Sequence, residues 1–174
     1  RRTTGEKMPG AIAKVCRSMR IGRMAFEMAT VTVAESADIQ KAVPKVSLVG
    51  WDGQVERILA CKDSDEVSLI RQAIGMAERA FEMFRETLRV GETEKQVADR
   101  MEMLLRQVGA EKGAFDTIIA VGPHAAQGHA RPGHLPIVED TPIVVDWGAA
   151  GRFYKSDLTR VIALRTIPAK LEAV

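Results

Sequence analysis

Two stretches in the middle of the chain carry apolar residues at helical spacing. Residues 63–66 have the Asp-x-x-Glu form of a capping box, and the apolar positions after it predict a long amphipathic helix that ends near Gly91. These positions are Leu69, Ile70, Ala73, Ile74, Ala77, Ala80, Phe81, Phe84 and Leu88. Thr93 and Gln96 predict the capped start of a second helix, which stops at Gly109. Its apolar stripe is Val97, Met101, Leu104, Leu105 and Val108.

The first part of the chain predicts shorter elements. Helices and strands are expected in turn at residues 11–20, 21–28, 32–43 and 45–49. The first helix has an apolar stripe of Ile12, Val15, Cys16 and Met19. The second helix is expected to stop at Pro44, and a turn is expected at Asp52-Gly53. We therefore divide the chain into two unequal parts, residues 1–62 and 63–174.

A hairpin with two aspartates is predicted near the end of the chain. Residues 115–121 are β-rich, and a Gly/Pro/His loop, residues 122–136, separates them from an apolar run that leads into Asp146. Gly151-Arg152 suits a two-residue turn, which would place Asp146 directly opposite Asp157 on one face. Two like charges in that position destabilise a hairpin unless a cation lies between them. The pair therefore indicates metal chemistry.

The three histidines of the chain all lie in the loop, at positions 124, 129 and 134. Their spacing does not make a helical His-x-x-x-His metal pair. His129, which lies between the β-rich segment and the hairpin, is the best candidate for donating to an oxyanion or moving a proton. Arg131 is a plausible partner for a carboxylate, although a structural loop contact explains it equally well.

Composition excludes several other classes of protein. The net charge is +2, from 25 basic and 23 acidic residues, so there is no general field for nucleic acid or membranes. No apolar run approaches the roughly 20 residues of a membrane span. Cys16 and Cys61 are far apart and are interpreted as reduced, buried residues, and Met76, Met83, Met101 and Met103 as core filler. We expect a cytoplasmic protein.

Three separate segments then carry a family resemblance. Residues 115–123, residues 129–132, and residues 146–148 together with 154–160 resemble the aminopeptidase P, prolidase and creatinase family in order, spacing and residue type. The resemblance implies an α/β (α+β) fold: a partial pita-bread catalytic domain from residue 63, preceded by the C-terminal part of a creatinase-type N-terminal domain in residues 1–62. Residues 55–66 resemble the linker between these domains.

The same resemblance implies a function for particular residues. Asp146 would chelate one of two divalent metal ions (Mn²⁺, Co²⁺ or Zn²⁺) and Asp157 would bridge both. The ions activate a water that attacks Xaa-Pro peptide bonds, as in aminopeptidase P or prolidase. His129 would stabilise the substrate or the tetrahedral intermediate, and Phe115 would line the substrate pocket beside Arg131. Thr159 would orient Asp157 by a hydrogen bond. Partners implied are proline-containing peptides and a second copy in a homodimer.

One departure concerns the remaining metal ligands. The family's further histidine and two glutamates lie in the second half of the fold, and no histidine follows Asp157 here. We therefore expect this chain to be a piece of a longer protein and to lack peptidase activity by itself. Gly133 and His134 replace the Thr and Asp that are common after the His-Ala-Arg-Pro motif, which leaves substrate preference open.

Two other functions compete with the peptidase. A creatinase-like C–N hydrolase reuses the fold without metal, but it has no reason to keep both aspartates. A non-catalytic pita-bread module that binds proteins generally loses the ligand carboxylates. Retention of Asp146, Asp157 and His129 together favours the metal-dependent exopeptidase over both.

Overall fold

The computed structural model of the chain describes residues 5–166. Contacts divide the chain into two compact units, Arg1–Lys62 and Asp63–Val174. In the described residues, none of the helices combines the length and the apolar character that crossing a membrane requires.

Helices and strands alternate in the first unit and segregate in the second. The helices are α1 Met8–Ser18, α2 Val33–Ala42, α3 Gln54–Ala60, α4 Ser64–Thr87 and α5 Glu94–Gln107. The strands are β1 Arg23–Phe26, β2 Ser47–Gly50, β3 Lys112–Gly113, β4 Ile118–Val121, β5 Ile143–Trp147, β6 Ala149–Gly151, β7 Tyr154–Lys155 and β8 Leu158–Ile162. A 3₁₀ turn, Gly122–Ala126, follows β4.

The first unit contains two parallel strands, β1 and β2, and a small core. Thr32 caps α2 in a capping box with Glu35, and the helix ends two residues before Pro44. The core consists of Ala13, Cys16, Val43 and Val46. Val15 and Met19, which were expected to join it, are exposed, because α1 buries only a narrow face. The segment interpreted as a linker, residues 55–66, includes all but the first residue of α3, which begins after Gly53 with φ at 73°.

In the second unit, α4 and α5 begin at the predicted capping boxes of Asp63 and Thr93. Their apolar faces pack in one core with the buried faces of β4 and β5. Three predictions of burial are wrong: Cys61, Met83 and Met103 are exposed. Met83 and Met103 lie beside the buried stripes of their helices, so the helical period places them at the boundary of the core.

Two antiparallel sheets complete the second unit. One has the strand order β4-β5-β8, and the other has the order β3-β6-β7. The predicted turn of the hairpin is wrong by one residue: Gly151 pairs with Tyr154, and the turn residues are Arg152 and Phe153. Both turn residues have positive φ, 48° and 72°, as a type I′ turn requires.

The corrected turn changes the partner of the first aspartate. Asp146 pairs with Thr159 and not with Asp157. Because the partner shifts by two positions, each side chain keeps its face of the pleat. Asp157 lies just before β8, next to Leu158, the partner of Trp147, so the alternation of the pleat predicts it on the same face as Asp146, as a diagonal neighbour rather than directly opposite. Diagonal neighbours are about 7–8 Å apart at Cα, a spacing that leaves room for ions between the carboxylates.

Candidate metal centre

Five of the predicted site residues line one cavity of about 780 Å³ in the second unit. They are Phe115, His129, Arg131, Asp146 and Asp157. The wall formed by α5 adds Lys95, Ala98, Asp99 and Glu102. Residues that are separated in sequence by the loop and the hairpin therefore meet in one place.

Asp146 is aimed into the cavity by the alternation of β5. The side chains of Val145 and Trp147 on either side of it are buried in the core, so Asp146 points the other way and is half-buried. The Thr159 hydroxyl donates a hydrogen bond of 2.9 Å to its Oδ1 atom. We expected Thr159 to orient Asp157; it orients Asp146 instead, because the two residues are cross-strand partners.

Asp157 is the more exposed of the two carboxylates. Within residues 5–166 it takes part in no hydrogen bond and no ion pair. A carboxylate that shares a cavity with a second carboxylate, and that forms no ion pair within the described residues although Lys95 and Arg131 line the same cavity, suits a bound cation. Oxygen donors of this kind suit hard or borderline divalent ions.

The two aspartates alone do not make up a complete set of metal ligands. Within residues 5–166, no group of three or more His, Cys, Asp or Glu side chains is arranged to hold an ion. The two aspartates therefore fit a divalent metal as part of a ligand set that needs further donors.

His129 is exposed at the cavity and has an unusual backbone. Its φ is 57°, in the left-handed region that only a few per cent of non-glycine residues adopt, with asparagine, aspartate and histidine the most frequent among them. Such outliers persist where the surrounding structure holds them, and they concentrate at functional sites. Phe115 and Arg131 line the same cavity, so an imidazole, a guanidinium and an aromatic ring share it with the carboxylate pair.

A buried glutamate that the sequence analysis did not identify holds the histidine loop. Glu94, the first residue of α5, has no exposed surface. Its carboxylate accepts hydrogen bonds of 2.9 Å from the backbone N–H groups of Val121 and Gly133. It also lies 2.8 Å from the ring Nδ1 of His124. The loop is thus fastened at its start, at its 3₁₀ turn and near its end, with His129 between the last two points. In the sequence, a glutamate directly after a capping threonine looks like a solvated residue of the first helical turn. Only the structure, which shows its burial and its hydrogen-bond partners, identifies Glu94 as a support of the loop.

The hairpin that carries Asp157 is tied to α4 by the one tyrosine of the chain. The Tyr154 hydroxyl donates a hydrogen bond to Glu66, and this acceptor raises the pKa of Tyr154 to about 12 from its ordinary value of 10.0. The stability that this bond contributes is present below pH 10 and is lost as the pH rises from 10 towards 12.

Alkaline titration of the tyrosinate absorbance is therefore expected to give a midpoint near pH 12 in the folded protein. Glu66→Gln keeps an acceptor for the capping box of α4 and removes the negative charge beside the phenol. It is expected to move the midpoint back towards 10, the ordinary value. An unchanged midpoint in the variant would show that Glu66 is not the cause.

The sequence and the fold both match known proteins. The profile described as "Metallopeptidase family M24" matches residues 68–174, more than half of the chain. An uncharacterized peptidase of Staphylococcus haemolyticus is 32% identical over 115 residues, which cover 66% of this chain and 33% of that protein. An uncharacterized peptidase of Staphylococcus aureus (strain bovine RF122) is 30% identical over 142 residues, 82% of this chain and 40% of that protein.

Among solved structures, the X-Pro aminopeptidase of Thermotoga maritima matches with a TM-score of 0.94 and 31% identity. The match covers 100% of this chain and 49% of that one. The Xaa-Pro dipeptidase of Bacillus anthracis matches with a TM-score of 0.86 and 27% identity, over 97% of this chain and 47% of that one.

The chain spans less than half the length of each of these four proteins. Both kinds of comparison nevertheless lead to the same family, and the family and the fold class that the sequence predicted are confirmed. The chain belongs to metallopeptidase family M24.

Proposed function

We propose that this chain provides the first metal ligands and the substrate-facing histidine of a metal-dependent exopeptidase that cleaves Xaa-Pro bonds. The observation that carries the proposal is the cavity in which Asp146, Asp157 and His129 meet. The names of the similar solved structures, an X-Pro aminopeptidase and an Xaa-Pro dipeptidase, support the same substrate class.

Asp146 and Asp157 are the residues that would hold the metal ions. Asp146 would bind one ion through a carboxylate whose direction Thr159 fixes, and the more exposed Asp157 would bridge a pair. When bound, divalent ions such as Mn²⁺, Co²⁺ or Zn²⁺ lower the pKa of a water and polarise a carbonyl group. Residues 5–166 arrange no third such side chain with them, so the proposal takes the remaining ligands from outside these residues.

The other residues of the cavity act on the peptide. His129 donates a hydrogen bond to the oxygen of the scissile carbonyl as negative charge develops there. The Arg131 guanidinium, with its planar set of donors, holds a substrate carboxylate. Phe115 offers an aromatic surface to the proline ring. The three residues orient the substrate and stabilise its charge, while the aspartates hold the ions.

The test is the double variant Asp146→Asn, Asp157→Asn in the complete gene product. The variant keeps the size of both side chains and removes their charges. It is expected to lose Mn²⁺ binding in calorimetry and to lose turnover of an Xaa-Pro dipeptide by a factor of at least about 100. The 174-residue chain alone, assayed beside it, is expected to show no turnover above a metal-free control.

Glu82→Asn, Glu86→Asn serves as the matched control. It removes two charges from exposed positions of α4 and is expected to leave Mn²⁺ affinity unchanged. Equal Mn²⁺ affinity in the parent and the aspartate variant would contradict the proposal and favour a protein-binding module, which has no use for the ions. Turnover that survives without metal would favour a creatinase-like hydrolase.

A further inference from the structure

The middle of α4 presents a flat, fully buried surface of alanines to the strands behind the candidate metal centre. Ala73 and Ala77 have no exposed surface. Small side chains allow other backbone and side-chain groups to come close to the helix. Two side chains use this access to reach helix carbonyl oxygens, which retain a second lone pair after making the helical hydrogen bond.

The first of these side chains is Trp147, which directly follows Asp146. Its indole Nε1–H donates a hydrogen bond of 2.9 Å to the carbonyl oxygen of Ala77. Its ring also stacks on Phe81, with centroids 4.4 Å apart and planes 13° from parallel. Since adjacent residues of a strand point to opposite faces, fixing Trp147 against α4 fixes the direction in which Asp146 leaves β5.

The second is Ser156, which directly precedes Asp157. Its buried hydroxyl donates to the carbonyl oxygen of Ala73 at 3.2 Å and accepts from the backbone N–H of Ala149 at 3.0 Å. The backbone N–H of Ser156 donates in turn to the carbonyl oxygen of Ala149 at 2.9 Å. The residue before Asp157 is therefore held both to the neighbouring strand and to the helix.

We propose that α4 sets the spacing and direction of the two metal-binding aspartates, with Trp147 and Ser156 as the positioning residues. This inference rests on the function proposed above. The two acceptors, Ala73 and Ala77, are four residues and so about one helical turn, roughly 6 Å, apart. A single rigid element thus serves as a common support for both carboxylates.

Such a support matters because metal sites tolerate little displacement. Productive geometry has to be kept within about 0.5 Å, and side chains near a strand end keep it only when their neighbours are fixed. Asp157 is exposed and lacks a partner within residues 5–166, so the bonds of Ser156 are its nearest restraint. Loss of outer hydrogen bonds of this kind typically costs 10- to 100-fold in metal affinity.

The experiment measures Mn²⁺ affinity by calorimetry in the complete gene product carrying Trp147→Phe or Ser156→Ala. Trp147→Phe keeps an aromatic ring on Phe81 and removes only the N–H donor with part of the ring. Each variant is expected to bind Mn²⁺ about 10- to 100-fold more weakly. Folding of each variant is checked by circular dichroism. If Ser156→Ala does not fold, Trp147→Phe is the decisive variant, and Ser156→Thr, which keeps the hydroxyl, is expected to bind Mn²⁺ as the parent does.

Leu88→Ala is the control for stability alone. Leu88 is buried in the same core at the end of α4, and no hydrogen bond joins its side chain to the segments that carry the aspartates. It is expected to lower the melting temperature without weakening Mn²⁺ binding.

Two results would overturn the inference. In the first, Trp147→Phe and Ser156→Ala bind Mn²⁺ as the parent does, or lose no more affinity than Leu88→Ala, while the parent itself binds. The positioning role then fails, and the proposed function stands. In the second, the parent does not bind Mn²⁺ through Asp146 and Asp157, and the proposed function fails together with the inference.

Discussion

Gly148→Ala is expected to destabilise the second unit by about 3–5 kcal/mol, among the largest effects of any single methyl group in this chain. A Cβ atom added at Gly148 would lie 2.0 Å from the backbone oxygen of Ser156 and 2.9 Å from the Cβ of Ala114. Carbon and oxygen atoms cannot approach to 2.0 Å, so the backbone has to move. The close contact is with main chain, which cannot turn aside as a flexible side chain does.

A backbone movement that relieves this contact breaks hydrogen bonds to the two neighbouring segments, one at Ala114 and one at Ser156. The carbonyl of Gly148 accepts from the N–H of Ala114 at 2.9 Å, and the next residue, Ala149, accepts from the N–H of Ser156 at the same distance. Separating these segments exposes or unpairs buried backbone groups, each of which costs about 1–3 kcal/mol. It also displaces Asp157, so metal binding is expected to fall together with stability.

Urea unfolding of Gly148→Ala, compared with Gly75→Ala, tests this expectation. Gly75 lies inside α4, and its added methyl would find only the end of the Arg79 side chain, at 3.5 Å. Because alanine is the better helix former, Gly75→Ala is expected to raise stability by about 0.5–1 kcal/mol. The same chemical change should therefore have opposite signs at the two sites, and a neutral Gly148→Ala would contradict the packing described here.

The two long helices were predictable from sequence because their signals are local. The boxes of Asp63 and Thr93 each place an acceptor three residues before a free helical N–H, and α4 and α5 begin directly after those residues. The short helix α3, which has no side-chain cap, was not predicted. The apolar stripe of α4 then identifies the buried side by period alone. Neither signal depends on any distant part of the chain.

The register of the hairpin was not predictable in the same way. The sequence predicted a turn with Gly151 as its first central residue. The central residues are instead Arg152 and Phe153, two residue types that have no preference for positive φ. What selects this register is not local. The bond between Ser156 and Ala73 and that between Tyr154 and Glu66 join the hairpin to α4, more than 80 positions away.

The candidate site also combines residues that the sequence predicts with residues that it does not. The sequence could predict Asp146, Asp157 and His129, which line the cavity, because each lies in a motif of consecutive residues. The sequence could not predict that Trp147 and Glu94 support these residues, because both form hydrogen bonds with residues that are far away in the sequence and that only the fold brings close. Trp147 looks like an ordinary core residue, and Glu94 looks like an ordinary residue of a first helical turn.

Glu94→Gln is the second change from which a large effect is expected, a loss of about 2–3 kcal/mol. The carboxylate offers two oxygens that accept from Val121 N–H, Gly133 N–H and the His124 ring. A glutamine of the same shape offers one oxygen and an amide nitrogen. Its N–H₂ group then faces a backbone N–H, so one donor loses its acceptor in a buried place.

The consequences are expected to concentrate on the loop that carries His129. Hydrogen exchange at the Gly133 amide should accelerate, since this amide loses its charged acceptor. Turnover in the complete gene product should fall, while Mn²⁺ affinity should stay near that of the parent, because the hydrogen bonds that hold Asp146 do not pass through Glu94. Glu94→Gln would therefore show that the residues that position His129 are different from those that position the metal-binding aspartates.

Glu111→Gln is the matched control for this substitution. Glu111 is exposed and accepts one backbone hydrogen bond, from Arg152 at 3.2 Å, so water can replace what the variant loses. Its loss of stability is expected to stay below about 0.5 kcal/mol. If urea unfolding gave equal losses for the two variants, burial of Glu94 would not matter. If Glu94→Gln instead weakened Mn²⁺ binding as strongly as turnover, the loop and the aspartates would form one coupled unit rather than two separately supported parts.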